Sequence, residues 1–426
     1  MNENEIHTVC YTRENIAELT AGVKRIVDDT PIVDIHTHLY APEFGTLLLW
    51  GIDELLTYHY LIAEVLRASD MPYDTFWKLD KTEQADFIWK TLFLDNIPYS
   101  EGCRGVLTAL DKLGLDVSAR DLNVYREWFH SQSLEEHLTR VFELARIESV
   151  IMTNDPFDTA ENIVWKKQLQ YDARFKAALR IDPLLNDWET SHSQLSSWGY
   201  DVSRDLSTET LSEVRRFLQD WIRTMDAQYM AVSLPPDFTW PEESARATLI
   251  SKAIMPVAEE CNIPFAMMIG VKRQVNPALK GAGDGVGTAS LDSVEHLCAT
   301  FPKNKFMVTM LARENQHALC VAARKFRNLL VFGCWWFLNN PSLIEEMTRM
   351  RLELLGPVVI PQHSDARILE QVLYKWSHSR EIIAKVLSDK YGDIINTGWK
   401  ITEKEIRRDV SHLLGGNLQR FKEIVL

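Results

Sequence analysis

The chain has 426 residues, 46% of them hydrophobic and 25% charged, enough apolar material for one large barrel or two ordinary domains and too much for a disordered chain. A formal charge of −14 argues against nucleic acid or an acidic membrane surface as the main partner, because phosphate binding needs clustered Lys and Arg. The same field repels a carboxylate at long range, so an anionic substrate must meet local cations.

The six cysteines (Cys10, Cys103, Cys261, Cys298, Cys320, Cys334) lie far apart with no Cys-x-x-Cys spacing, and read as reduced thiols of a cytoplasmic protein. The opening Met1-Asn-Glu-Asn-Glu-Ile6 lacks the basic start and apolar core of a secretory leader, and no run reaches the ~18 apolar residues of a membrane span. A soluble cytoplasmic chain is expected, with homo-oligomer formation left open.

Residues 12 to 28 have the periodicity of a short amphipathic helix, and the first strand candidate follows at 31 to 38. Further apolar strand candidates lie at 148–154, 175–181, 228–234, 263–270, 305–311, 328–334 and 357–363, which makes eight. Amphipathic helices separate most of them. One runs from a capping Asn340 through Pro341 in the first turn to a terminating Gly356. Short apolar strands alternating with helices predict an α/β fold, a (β/α)8 TIM-like barrel rather than a doubly wound sheet, formed by residues 1–426 as a single domain.

The largest insertion, residues 41–147, reads as mostly helical, for example over 52–66 and around Trp77 and Trp89. It follows the first strand and is therefore expected over the C-terminal face of the barrel. A second insertion, 186–226, carries Trp188, Trp198 and Trp221. The glycine-rich stretch 280–287 lacks the Gly-Lys-Ser/Thr ending of a phosphate loop and reads as a mobile loop after the fifth strand.

The first strand ends in His36-Thr-His38. Residues i and i+2 of an extended strand point the same way, so both imidazoles can grip one metal ion. The pattern is weak alone, since short motifs recur by chance. In a closed barrel the eighth strand lies beside the first, which brings Pro361-Gln-His-Ser-Asp365-Ala-Arg367 to the same end. Asp365 can then complete a two-nitrogen, one-carboxylate set with open positions, suited to one divalent ion: zinc first, manganese or iron as alternatives. Arg367, two residues on, shares that side if strand geometry persists, and could hold a developing oxyanion. The competing reading of Asp365 is the N-cap of the helix that follows. His363 reads as a buried, hydrogen-bonded histidine.

The His-x-His and the late Asp resemble the amidohydrolase superfamily, and the chain is more specifically similar to the uronate isomerase family within it. Phe44-Gly-Thr-Leu-Leu-Leu-Trp50, Asp53-Glu-Leu-Leu-Thr-Tyr-His59-Tyr60, Ala178-Leu-Arg180-Ile-Asp182-Pro183, Ser364-Asp365-Ala-Arg367 and the C-terminal helix through Phe421 carry the resemblance in order along nearly the whole chain. It departs from the superfamily's hydrolases: Met230–Pro236 supplies no lysine at the fourth strand, and Phe265–Gly270 and Phe306–Leu311 supply no histidines at the fifth and sixth. A two-metal site bridged by a modified lysine is therefore disfavoured. Met267-Met-Ile-Gly270 stands where the commoner members have Leu-His-Ile-Gly, which marks a divergent branch.

The resemblance implies that a hexuronate aldose (D-glucuronate or D-galacturonate) and its 2-keto sugar (fructuronate or tagaturonate) interconvert by proton transfer through an enediol. It implies that Asp365 is both metal ligand and base, that Arg367 and Tyr60 stabilise the enediolate and shuttle protons, that Arg180 anchors the substrate and that His59 contacts it. Arg180 has a plainer reading as an ion pair with Asp182, in which case Lys272 or Arg273 is the anchor. Two other functions remain in view: a metal-dependent hydrolase or lactonase, and a non-catalytic sugar-acid binding protein, against which the intact His36, His38, Asp365 and Arg367 set argues.

Overall fold

The structure, a computed structural model, describes residues 9–426, so the expectation about Met1–Ile6 lies outside the described residues. Seven strands form one parallel sheet in sequence order: β1 (Ile32–Thr37), β2 (Ile147–Asn154), β3 (Phe175–Arg180), β4 (Met230–Leu234), β5 (Phe265–Ile269), β6 (Phe306–Met310) and β7 (Leu329–Val331). Each coincides with an expected strand. Alternate residues face two cores. Val150, Met152, Leu179, Met230, Val232, Phe265, Phe306 and Val308 pack in the cluster that contains the helices. Ile35, Ile151, Ala178, Ala231, Met268, Met307, Leu330 and Phe332 pack with one another in a second cluster. A sheet that buries both faces and curls on itself is consistent with a TIM-like barrel.

The expected eighth strand is not a regular one. Residues 361–366 have no regular secondary structure, and the segment makes a single parallel bridge, Phe332↔Ile360. Pro357 and Pro361 deprive the segment of two ladder donors, and Asp365 turns the chain with a φ of 52°. The segment nevertheless closes the gap. Gly333 N donates to Ile360 O (2.7 Å) and Ile360 N to Val331 O (3.1 Å) on one side; Asp365 N donates to His36 O (3.1 Å) and His38 N to Ala366 O (2.7 Å) on the other.

The helices used below are α1 (Leu19–Asp29), α2 (Ile52–Leu56), α3 (His59–Ala68), α4 (Glu101–Lys112), α5 (Leu134–Ala145), α6 (Pro341–Leu355) and α7 (Gln371–Asn396). α1 buries Leu19, Val23, Ile26 and Val27, the i, i+4, i+7 and i+8 positions of one face. α6 starts and stops as its caps predict: the Asn340 side chain accepts from Leu343 N, and Gly356 follows with φ 62°. The stretch expected as one helix over 52–66 is instead two, α2 and α3. The Thr57 hydroxyl bonds back to Asp53 O at 2.6 Å, and Tyr58 is extended (ψ 146°) as the N-cap of α3.

The glycine-rich stretch also differs from expectation. Gly285–Val286 pairs antiparallel with Val271–Lys272, Trp77 Nε1 donates to Ala278 O at 2.8 Å, and the Lys280 ammonium sits 4.4 Å from the Trp77 ring centroid. Backbone pairing and an aromatic contact tie it down. No helix of the described residues is long and apolar enough to cross a membrane.

Candidate active site

A cavity of about 550 Å³ opens at the carboxyl ends of the strands, lined among others by His36, His38, Tyr58, His59, Thr153, Arg180, Trp335, Trp336, Asp365 and Arg367. At its floor His36 Nε2 lies 3.7 Å and His38 Nε2 3.4 Å from Asp365 Oδ1. Within these three residues one ligand atom apiece falls inside 4.8 Å of the others, a spacing that could hold a metal ion. Asp365 is not a helix cap; the following helix starts at Gln371 with Glu370 before it.

Hydrogen-bond accounting fixes the His36 tautomer. The Tyr229 hydroxyl donates to Ile35 O and the Thr153 hydroxyl to Thr37 O, each at 2.8 Å. A hydroxyl has one proton, so both oxygens can only accept from His36 Nδ1, at 3.1 and 3.4 Å. Nδ1 therefore carries the hydrogen and Nε2 a lone pair. Burial, with His363 nearby, holds the His36 pKa well below its ordinary value, so the ring stays neutral. Burial opposes the charge of Asp365, but His38 and the Lys375 ammonium hold its carboxyl well below the usual carboxylate range. A lone pair and a carboxylate oxygen thus face each other in a buried place. His36 Nε2 and Asp365 Oδ1 have no hydrogen-bond partner among the described residues. Such an arrangement is repulsive unless a cation lies between them.

The Asp365 segment is held from behind. Asp34, fully buried, accepts from Ser364 N (3.0 Å) with one oxygen and from Trp376 Nε1 (2.7 Å) with the other. Lys375 of α7 donates to Ser364 O at 2.7 Å.

The remaining site residues fall out as follows. Arg367 lines the cavity although strand geometry does not persist, and its guanidinium has no ion-pair or hydrogen-bond partner among the described residues. His59 lines the cavity with Nε2 buried and unpartnered among those residues; burial pushes its pKa down to about 3. Tyr60 is not on the wall: its hydroxyl is buried without a partner among the described residues, near enough to Tyr58 and Asp365 that, after burial, they raise its pKa further. Arg180 lines the cavity and is paired with Asp182 at 2.9 Å. Arg273 also lines it, paired with Asp284 at 2.6 Å, whereas Lys272 does not. His363 is buried as expected but not hydrogen-bonded: neither ring nitrogen has a partner among the described residues, and the ring stands edge-on to His36 at 5.1 Å.

Sequence reasoning missed Tyr58, Trp335 and Trp336, Thr153, Tyr229 and Lys375. The tryptophans were within reach, since they follow the seventh strand at the end where barrel sites form. Nothing local to Tyr229 or Lys375 pointed to their partners.

Fold and site together define a barrel-like α/β protein with a His-His-Asp centre in the mouth of its sheet. No protein-family description and no curated protein matches the chain. Among solved structures, a uronate isomerase from Bacillus halodurans is 57% identical, with 96% of each chain covered and a TM-score of 0.94. A uronate isomerase from Thermotoga maritima (18% identity, 99% of each chain, TM-score 0.75) and a glucuronate isomerase from Caulobacter crescentus (14% identity, 99% of this chain and 97% of the other, TM-score 0.69) share the fold. The chain belongs to the uronate isomerase family.

Proposed function

We propose that this chain interconverts a hexuronate aldose, D-glucuronate or D-galacturonate, with fructuronate or tagaturonate. Kinship with the Bacillus halodurans enzyme supports the reaction class. The observation that carries the chemistry is the opposed pair of acceptors, His36 Nε2 and Asp365 Oδ1 at 3.7 Å. His36, His38 and Asp365 would hold one divalent ion, zinc ahead of manganese or iron, and in this reading it stays accessible to substrate. When bound, the ion supplies Lewis-acid polarisation of the open-chain sugar's oxygens.

The protein groups supply the rest. Both histidines face Oδ1 of Asp365, which leaves Oδ2 to take the proton from C2 and return it at C1. The unpaired Arg367 guanidinium holds the oxyanion of the enediolate. The proton passage between O1 and O2 expected of Tyr60 is not carried into this reading, because its buried hydroxyl lies behind the cavity wall. His59, kept neutral by burial, donates to or accepts from a sugar hydroxyl without adding charge. Arg180 anchors the carboxylate with the donors that Asp182 leaves free, and Arg273 is the alternative anchor.

In this reading the whole chain is one barrel domain and residues 41–147 form a helical layer over its mouth; Thr57, Tyr58, His59, Trp77, Lys81 and Gln84 on the cavity wall support that. The six cysteines, all unpaired, suit a reducing cytoplasm.

The test is incubation of metal-loaded protein with D-glucuronate and D-galacturonate while following the keto product. Ketose formation is expected, and Asp365→Asn should lower turnover by about 10³-fold with an unchanged thermal midpoint. Lactone opening instead of ketose formation would assign a hydrolase, and binding without turnover a sugar-acid receptor.

A further inference from the structure

Lys375 is 3% exposed, and no carboxylate lies within ion-pairing distance of it among the described residues. Its Nζ donates only to main-chain carbonyls, Ser364 O at 2.7 Å and Asp365 O at 3.4 Å, and lies 5.6 Å from the Tyr60 ring centroid. Burying an ammonium against neutral acceptors costs free energy, and packing alone does not require it.

What it touches is the turn that carries the catalytic carboxylate. Asp365 sits at φ 52°, a conformation that costs a non-glycine residue on the order of 1 kcal/mol. Other groups hold the donors of that turn: Asp34 takes Ser364 N and His36 O takes Asp365 N. On the acceptor side, Asn339 Nδ2 also reaches Ser364 O, at 3.1 Å. The Asp365 carbonyl accepts from Lys375 and from no other group among the described residues.

We propose that Lys375 is a positioning residue for the isomerisation, fixing the left-handed turn that aims the Asp365 carboxylate at the histidine pair and the substrate C2. The kinetic part rests on the hexuronate isomerase reading; the metal-binding part rests on the His36, His38 and Asp365 geometry alone. A displaced carboxylate loses rate steeply, about 100-fold for a misplacement near 1 Å. Arg180 and His59 stand on β3 and α3 and make no hydrogen bond to Lys375.

The test is Lys375→Met, which keeps much of the stem and removes the donor. Its kcat on the better hexuronate should fall about 100-fold with KM within threefold, and the Kd of the metal-free protein for Mn²⁺, by equilibrium dialysis, should weaken about 100-fold. Lys375→Arg, which restores donors, should recover Kd to within about threefold. A residue that matters only for packing would lower the thermal midpoint and leave kcat and Kd unchanged at 25 °C, and that result overturns the proposal. Tighter Mn²⁺ binding in Lys375→Met also overturns it, because charge and not aim would then be the role. Should Lys375→Met fail to fold, Lys375→Gln, with a shorter donor, is expected to weaken Kd, and an unchanged Kd there is equally decisive. If the wild type makes no ketose, the function reading falls while the Kd comparison still decides Lys375.

Discussion

β1 and the segment 359–367 bring their candidate ligands to the same point by different means. β1 carries His36 in a parallel ladder with β2 whose register shifts between Ile32 and Val33 and between Asp34 and Thr37, His38 follows directly after its end, and Tyr229 and Thr153 complete the orientation of His36. The segment opposite has one bridge, two prolines nearby and a left-handed aspartate, so its geometry is imposed by side chains from elsewhere: Asp34, Asn339, Lys375 and Gln371, the last accepting from Arg367 N at 2.9 Å. A ladder positions side chains by periodicity. An irregular segment must be held bond by bond, so its sensitivity to mutation is spread over residues remote in sequence.

The contrast can be broken most severely at Asp34. Asp34→Ala strands Ser364 N–H and Trp376 Nε1–H in the core, and should cost about 4 kcal/mol of unfolding free energy in urea. A loss under 1 kcal/mol would mean that the segment holds itself.

A second test addresses the clamp just past β1. Tyr40 OH, Asn154 Nδ2 and Asp155 N all donate to Glu161, at 2.8, 2.9 and 3.0 Å, yet burial raises the Glu161 pKa to about 7. A carboxyl whose folded pKa is raised binds its proton more tightly folded than unfolded, so stability is lost as pH rises from about 4.5 to about 7 and is flat above. The expected loss is about 3 kcal/mol, and it should be missing from Glu161→Gln when the two pH profiles are compared. Parallel profiles would refute the assignment.

The smallest effect is expected on the strand side. Tyr229→Phe with Thr153→Val removes both acceptors of His36 Nδ1 and should weaken metal binding by about tenfold, read as Kd for Mn²⁺, with the strand intact. A Kd change as large as that of Lys375→Met would erase the distinction between a strand-borne and a side-chain-held ligand.

Much of this was legible before the structure. Seven strands, the α6 caps and the convergence of His36, His38 and Asp365 follow from periodicity and barrel closure. The failures share a cause. The break at Thr57 and Tyr58 carries no proline or glycine to announce it, and the 357–363 run is apolar enough to pass for a strand although Pro361 cannot donate. The expectation that His363 is hydrogen-bonded rests on the rule that buried polar groups usually are, and that rule cannot say what meets the ring.

The sequence by itself determined which residue types alternate, where helices begin and end, and which three residues could share a cation, because these depend on local sterics and on a repeating topology. Only the tertiary structure decided that Asp365 is left-handed, that His36 presents Nε2 as a lone pair, that Arg180 and Arg273 are already paired, and that Tyr58 lines the wall and Tyr60 lies behind it. Those outcomes rest on hydrogen-bond partners hundreds of residues apart, such as Asp34 with Trp376 and His36 with Tyr229. No local pattern encodes a partner at that separation; the closed sheet supplies it.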